Sequence, residues 1–325
     1  MDRQKTPNEP LVSVICTCYN QAPYLQAALD SVLQQVYPAI ELHIVDNGST
    51  DFSRKAILAW QQKNAHKLPI RCHFRDRPIN YCQSFNRALA QTRGDLVVDL
   101  AADDFLHPRH LAEAVNRLSV TNASVYFSNV RHLYTNGQTR AFYPVDAAGK
   151  AIGPIPEGDV FAAVVEKYQI SSASLVLNAP VLKAAGGYDE RLVYEDFDLL
   201  IRMARDHAFV YGDLLGVTKR ILPDSFSSQQ YRVGDARFLS TTLQVCDKIA
   251  ALLRTAEEAQ ALKFRILHET KHALASGNFT IAARFLERYP KGGSTDWRYY
   301  SYRAWLACRW DLSGLYDWWR KRKTL

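Results

Sequence analysis

The amino-acid sequence predicts an α/β fold: a mixed, mainly parallel sheet flanked by helices, followed by an α-helical C-terminal region. Two apolar runs, residues 11–16 and 40–45, are typical of buried strands, and each stops at polar residues. Between them, apolar side chains recur on one helix face, at Leu25, Ala28, Leu29, Val32 and Leu33. Because the carboxyl ends of parallel strands meet at one edge of a sheet, Thr17 and Asp46 should border a ligand crevice there.

Helical and strand patterns continue to alternate after this first unit, which implies a mainly parallel sheet. Helices are predicted at 52–64, 81–92, 108–119 and 195–206, and strands at 70–74, 95–100, 123–127 and 171–177. The pair Asn136-Gly137 indicates a hairpin turn. Beyond Pro223 long helical patterns dominate. The predicted division is a polar tail at 1–10, an α/β domain at 11–228 and a helical region at 229–325.

The composition is that of an ordinary globular protein, with 47% hydrophobic and 22% charged residues. A net charge of +7 favours anionic partners such as a nucleotide diphosphate, lipid headgroups or nucleic acid. Six cysteines without a C-x-x-C pair indicate a reduced, cytoplasmic chain rather than a disulfide framework or zinc site. The polar N-terminus and the lack of an apolar run of ~20 residues predict neither a signal peptide nor a membrane span.

Four segments resemble the motifs of family 2 glycosyltransferases, in the same order. They are VSVICTCYN at 12–20, VDNGSTD at 45–51, GDLVVDLAADD at 94–104 and GGYDERLVYEDFDLLIRM at 186–203. The resemblance covers about residues 11–225 and implies the Rossmann-like fold called GT-A. It also implies an inverting, nucleotide-sugar-dependent hexosyltransferase that moves a sugar from a UDP-sugar to a hydroxyl of a glycan or lipid-linked acceptor, as in cell-surface polysaccharide synthesis.

The resemblance places Asp46 against the uracil ring, with Thr17 lining the same base pocket. Uracil offers an N–H donor beside two carbonyl acceptors, so a carboxylate at this edge would favour it over a base without that donor. The alternative is structural, because Asp46 with Ser49 and Thr50 can make a turn and cap the next helix.

In the family resembled, a D-x-D motif holds Mg²⁺ or Mn²⁺ against the diphosphate. Here Ala101 occupies the usual first Asp position, which leaves Asp103 as the metal ligand and Asp104 to bind metal, substrate or backbone. Leu222 stands about where many relatives have a histidine. The alternative is that both acids only cap the loop before Pro108.

The pair Glu195-Asp196 begins a predicted amphipathic helix. The resemblance implies that Asp196 is the general base, which takes the proton of the acceptor hydroxyl, and that Glu195 orients it or contacts the acceptor. The alternative is that these acids, and Asp198 above all, are first-turn residues favoured by the helix dipole.

Two further residues match the family loosely. Asn86 stands where relatives place a group that meets the diphosphate or ribose, but a solvated helix face explains it equally well. Arg220 is expected to bind the diphosphate.

Five of the six tryptophans lie in residues 296–325, mixed with arginines and the basic run at 320–323. The preferred interpretation is that they pack against helices at 237–290. The alternative is peripheral contact with the inner surface of the cytoplasmic membrane, where aromatic rings and cations meet lipid headgroups. Nucleic acid is not an expected partner.

Two other functions remain open from the sequence. Ala101 and Leu222 allow a catalytically impaired GT-A domain that binds a sugar nucleotide or serves as a scaffold. A nucleotidyltransferase should carry a glycine-rich, basic loop after the first strand, and residues 16–22 have none. No recognisable motif identifies the donor sugar, the acceptor, the linkage or the oligomeric state. The donor sugar would be recognised by loops such as 143–158.

Overall fold

The computed structural model describes residues 9–223, 229–290 and 296–323. Its α/β part begins with helices and strands in strict alternation and becomes mixed after the fourth strand. In chain order the elements are β1 (Val12–Cys18), α1 (Ala22–Leu33), β2 (Ile40–Asp46), α2 (Ser53–Asn64), β3 (Ile70–Phe74), α3 (Tyr81–Leu89), β4 (Leu96–Ala101), β5 (Phe105–Leu106), α4 (His110–Val120), β6 (Val125–Tyr134), β7 (Thr139–Ala141), α5 (Phe161–Glu166), β8 (Val176–Asn178), α6 (Ala179–Ala184), α7 (Glu195–Asp206), β9 (Phe209–Ile221), α8 (Arg237–Leu252), α9 (Ala256–Ala275), α10 (Phe279–Glu287), α11 (Trp297–Cys308) and α12 (Ser313–Lys323).

The strands form one mixed sheet in the order β3-β2-β1-β4-β8-β6-β9-β5, with β7 paired to β6. Strand β1 pairs in parallel with both β2 and β4, while β8 runs antiparallel between β4 and β6. The register sets Thr17 beside Val45 on one side and Ala101 on the other. The predicted fold class is therefore confirmed, and the carboxyl ends of β1, β2 and β4 lie next to one another.

Helix α1 covers the start of this sheet with the face that the sequence predicts. Leu25, Ala28, Leu29 and Val32 are all at most 1% exposed. Burying a leucine or valine side chain fully stabilises the fold by about 1.5–3 kcal/mol. Packing of this stripe, rather than helix propensity, therefore fixes α1 against β1, β5 and α2.

The predicted strand at 171–177 is wrong over most of its length. Residues Ser172–Ser174 form a 3₁₀ turn, and only Val176–Asn178 is a strand. The Ser174 hydroxyl donates to the carbonyl of Ser128 at 2.9 Å and accepts from its N–H at 3.2 Å. These side-chain bonds replace the ladder that a strand would have made here. The hairpin at Asn136-Gly137 is confirmed by the β6–β7 pair.

Two compact units make up the chain. The first contains residues 1–160, 170–190 and 202–221, and the second contains 161–169, 191–201 and 222–325. The second unit thus takes in two short segments from within the predicted α/β domain. The predicted boundary at 228/229 adjoins residues 224–228, which lie outside the described residues, as do residues 1–8 of the predicted N-terminal tail.

The second unit is built mainly from helices α8 to α12. Thr255 and Glu258 form a reciprocal capping box at the start of α9, and Gly277 follows the end of that helix with a φ of +75°. In the part of the chain that the structure describes, no helix is long and apolar enough to cross a membrane.

The expected packing of the C-terminal tryptophans is wrong for four of them. Trp297, Trp310, Trp318 and Trp319 are between 42% and 75% exposed. Helix α11 buries none of its residues. These rings therefore form surface, not core.

Candidate active site

The ends of β1 and β2 bury two polar side chains. Thr17 is 6% exposed and Asp46 is 1% exposed. One carboxylate oxygen of Asp46, Oδ1, accepts from the N–H of Ser49 at 3.0 Å, as the turn interpretation expects. The other oxygen, Oδ2, and the Thr17 hydroxyl have no hydrogen-bond partner among the described residues. A buried polar group without a hydrogen-bond partner lowers the stability of the fold by about 1–3 kcal/mol. This cost favours a ligand that supplies the missing partners at the ends of β1 and β2.

Asn47 and Gly48, directly after β2, shape the wall beside Asp46. The Asn47 amide donates to the carbonyl of Ile79 at 2.8 Å and accepts from its N–H at 3.3 Å. Gly48 has a φ of +80°, and a Cβ on it would lie 2.3 Å from the backbone carbon of Arg77. Only glycine permits this approach, so the loop at 77–79 is fixed against the end of β2.

Asn20 ties the end of β1 to the segment at 49–51. Its side-chain oxygen accepts from the N–H of Thr50 at 2.8 Å, and its own N–H donates to the Ser49 hydroxyl at 3.0 Å. Asp51 in turn accepts from the N–H groups of Ala22 and Ser53. These bonds support the turn interpretation of residues 49–51, but the predicted cap is not formed, since the N-cap of α2 is Phe52 and makes no side-chain capping bond.

The two acids that follow β4 lie beside Arg220, on β9. Asp104 is buried, and its carboxylate accepts from the backbone N–H of Arg220 at 2.9 Å. Burial, together with the neighbouring Asp103 carboxylate, raises the pKa of Asp104 to about 7. The Arg220 guanidinium donates to the carbonyl of Asp103 and lies over the rings of Tyr24 and Phe105, 5.2 and 5.0 Å from their centroids. Asp103, Asp104 and Arg220 are therefore held together at one sheet edge.

These residues fit a divalent cation only in part. Asp103 is partly exposed, and carboxylate oxygens suit Mg²⁺ or Mn²⁺. Across residues 9–223, 229–290 and 296–323, however, no three His, Cys, Asp or Glu side chains come together as a metal site. Ala101 and Leu222 supply no ligand atoms. A cation here would take most of its ligands from a diphosphate and water.

The predicted substrate-binding role of Asn86 is not supported. Its amide donates to the carbonyl of Tyr188 at 2.8 Å and to Glu190 at 3.1 Å, and accepts from the N–H of Tyr188 at 2.9 Å. Gly187 approaches so closely that a Cβ on it would lie 2.3 Å from the Asn86 side-chain oxygen. Asn86 thus anchors the loop at 186–190, and its polar atoms are occupied.

Asp99 is a second anchor of that loop, and the sequence interpretation missed it. Its carboxylate accepts from the hydroxyls of Tyr81, at 2.7 Å, and Tyr188, at 2.8 Å. The signal was present in the sequence, because an acid inside an apolar strand needs polar partners. Arg202 adds bonds to the carbonyls of Ala185 and Gly187.

Glu195 and Asp196 begin α7, as predicted, and belong to the second unit. The hydroxyl of Tyr168, in the same unit, donates to Asp196 Oδ2 at 3.5 Å. Asp198 is fully buried and pairs with Lys248 of α8, so its role is structural, as the helix-dipole alternative anticipates in part. Asp196 therefore lies on a helix turn that the ion pair between Asp198 and Lys248 holds in place.

Helices α8 and α9 supply further contacts to this turn. The Thr241 hydroxyl accepts from the N–H of Val193 at 3.2 Å, and the Arg265 guanidinium lies 4.7 Å from the centroid of the Phe197 ring. An open cavity of about 830 Å³ adjoins Val193 and Thr241 and is lined by Arg191, Arg232 and Arg237. Asp235 pairs with Arg237, so the cavity lining keeps a net positive charge.

A mixed, mainly parallel sheet flanked by helices, with polar residues at these strand ends, matches the predicted GT-A fold. A sequence model described as Glycosyl transferase family 2 matches residues 13–167 of this chain. The family predicted from the four sequence motifs is confirmed.

Two curated relatives are glycosyltransferases described as uncharacterised. One, from Nostoc sp., is 39% identical over 109 residues, which cover 32% of this chain and 31% of that protein. The other, from Rickettsia typhi, is 25% identical over 244 residues, which cover 75% of this chain and 70% of that protein. The match to the Nostoc protein spans less than a third of its length.

Two solved structures share the fold. TarS of S. aureus, residues 1–349 in complex with UDP-GlcNAc, superposes with a TM-score of 0.71 at 16% identity, covering 96% of this chain and 92% of that one. The mannosyltransferase PcManGT of Pyrobaculum calidifontis, in complex with GDP-Man and Mn²⁺, gives 0.59 at 17% identity, covering 97% and 84%. At these identities the likeness concerns the fold alone.

Replacing the loop anchor Asn86→Ala should destabilise the protein, because it leaves the backbone N–H and C=O of Tyr188 without their partner. We expect a loss of about 1–3 kcal/mol and a matching fall in the thermal midpoint. Arg87→Ala, on the exposed side of the same helix, is the control. Equal melting temperatures for the two variants would contradict the anchoring role.

Proposed function

We propose that the chain is an inverting, metal-assisted glycosyltransferase that moves a sugar from a UDP-sugar to a hydroxyl of a glycan or lipid-linked acceptor. The observation that carries this proposal is the pair of buried polar atoms without partners, Thr17 Oγ1 and Asp46 Oδ2, at the adjacent ends of β1 and β2. Such atoms at the carboxyl edge of a parallel sheet are suited to a nucleotide base.

The uracil ring matches these two atoms chemically. Its N–H can donate to Asp46 Oδ2, and a ring carbonyl can accept from the Thr17 hydroxyl. Because Asp46 Oδ1 is already held by Ser49, the orientation of the carboxylate is set before the nucleotide arrives. Preorganisation of this kind reduces the entropy cost of binding.

The diphosphate is assigned to the group of Asp103, Asp104 and Arg220. Asp103 would hold Mg²⁺ or Mn²⁺, which supplies positive charge against the leaving diphosphate. Arg220 is fixed by its aromatic neighbours and by Asp103, so its charge stays beside this loop. Asp104 keeps β9 attached to the loop through the Arg220 N–H.

Asp196 is the proposed general base. It accepts the proton of the acceptor hydroxyl while that oxygen forms a bond to C1 of the sugar, and the C1–O bond to the diphosphate breaks with its electron pair leaving on UDP. Tyr168, by donating to Asp196 Oδ2, would orient the carboxylate. Glu195 is assigned to acceptor contact, and the positively charged cavity beside Val193 supports an acceptor that carries negative charge.

The free state of all six cysteines supports a reducing compartment, and we place the activity in the cytoplasm. The second candidate is a GT-A domain that binds sugar nucleotides without turnover. The small number of metal-ligating side chains near Asp103 favours it. The well-anchored Asp196 turn favours catalysis.

Asp46→Asn separates the two interpretations of this residue. The variant keeps the oxygen that accepts from Ser49 but replaces Oδ2 by an amide donor, which opposes the uracil N–H. We expect UDP affinity to fall by about 10- to 100-fold, with little change in the thermal midpoint. The measurement is UDP titration by calorimetry beside thermal unfolding.

Asp76→Asn is the matched control, since the Asp76 side chain is fully exposed. If Asp46→Asn melted earlier but bound UDP like the wild type, Asp46 would be a turn residue only.

Asp196→Asn should abolish transfer while UDP binding stays near normal, because the amide cannot accept the acceptor proton. Loss of a general base lowers the rate by about 10²- to 10⁴-fold. Asp206→Asn, at the exposed C-terminal end of the same helix, is the control. Transfer by Asp196→Asn at the wild-type rate would refute the assignment.

A further inference from the structure

We propose that the two C-terminal helices form a docking surface for an anionic lipid membrane. This aromatic–basic surface consists of the exposed apolar side chains of α11, α12 and the turn between them, together with the neighbouring arginines. Its apolar members are Trp297, Tyr300, Trp310, Leu312, Leu315, Trp318 and Trp319. The proposal goes beyond the transfer reaction and does not depend on it.

The exposure of these side chains is the first argument. Trp297 is 75% exposed, Trp310 66%, and Trp318 51%. In α12 the exposed residues Leu315, Trp318 and Trp319 follow a spacing of three and four, so they share one face of the helix. Several large apolar side chains left exposed on two consecutive helices indicate an interaction site.

The opposite side of α12 is attached to its own unit, which is the second argument. The Tyr316 hydroxyl makes a hydrogen bond with the ring Nδ1 of His272 on α9. Arg320 donates to the carbonyl of Tyr231 at 2.7 Å. The helix is therefore held in one orientation, and its tryptophan face is presented outward.

The charge of the region identifies the partner. Residues 296–323 contain seven Lys and Arg residues and three Asp residues. One of the three, Asp296, is already paired with Arg298. The Arg322 guanidinium lies over the Trp318 ring, 4.0 Å from its centroid. Indole rings with adjacent cations suit the headgroup level of a bilayer, and each basic residue adds to the attraction toward an anionic surface.

A second copy of the chain fits this surface less well than lipid. Self-association through the same face would bring the excess cations of two copies together, and like charges brought together oppose docking. Since no described helix is suited to span a membrane, the expected contact lies within the headgroup layer.

The test is co-sedimentation of the full chain with vesicles of phosphatidylcholine, with and without phosphatidylglycerol. We expect binding only to the anionic vesicles, weakened by salt. Removal of two indoles in Trp318→Ala/Trp319→Ala should lower the affinity by about tenfold or more. Both residues are exposed, so the fold should persist, and a thermal melt checks this. Phe52→Ala, which removes a 77% exposed aromatic ring elsewhere, is the control.

Three results would overturn the proposal. The first is no binding to either vesicle. The second is equal binding to both kinds of vesicle, or equal loss in the control and the double variant. The third is that the wild-type chain is a dimer in light scattering, the double variant is a monomer, and neither binds vesicles. The partner would then be a second copy of the chain.

Discussion

Parallel pairing of β1 with both β2 and β4 is the constraint on which the candidate site depends. It brings three strand ends to one edge, so residues far apart in the sequence, Thr17, Asp46 and Asp103, belong to the same edge. The backbone bonds of this core are satisfied in the ladder, but two side-chain atoms at its end are not. A ligand that forms hydrogen bonds with these two atoms stabilises the fold, because it binds the native state and not the unfolded state.

The loops around this edge are fixed by side-chain hydrogen bonds, most of them to backbone groups. Asn47 fixes the segment at 77–79, and Asn86 fixes the backbone of Tyr188. The Asp99 carboxylate accepts a hydrogen bond from the hydroxyl of the same tyrosine. The loop that carries Asp103 and Asp104 is likewise attached to β9, because the Asp104 carboxylate accepts from the backbone N–H of Arg220. Polar networks of this kind define one loop conformation, because losing either partner leaves a buried group unsatisfied. The loops that border the candidate site are thus held in place by hydrogen bonds between side chains and distant parts of the chain.

The sequence predicted the elements whose signal is local and periodic. The apolar stripe of α1, the strand at 70–74 and the helix at 195–206 are confirmed within a residue or two. It failed where tertiary contacts decide: Ser174 bonds across to Ser128, Asn86 turns to the loop at Tyr188, and Trp318 stays in solvent. Partners distant in the chain cannot be read from spacing alone. The positions of Asp46, Asp103 and Asp196 came from motif order, whereas the partners of Asp99 and the contact of Tyr168 with Asp196 required the structure.

The buried polar atoms at the ends of β1 and β2 are proposed to bind a uracil nucleotide whose sugar the enzyme transfers. The direct measurement is release of nucleoside diphosphate from a panel of UDP- and GDP-sugars, run with Mn²⁺, with Mg²⁺ and with chelator. We expect slow release of UDP from one or a few UDP-sugars, dependent on the divalent cation. Release from GDP-sugars alone, or binding of UDP-sugars without any release, would contradict it.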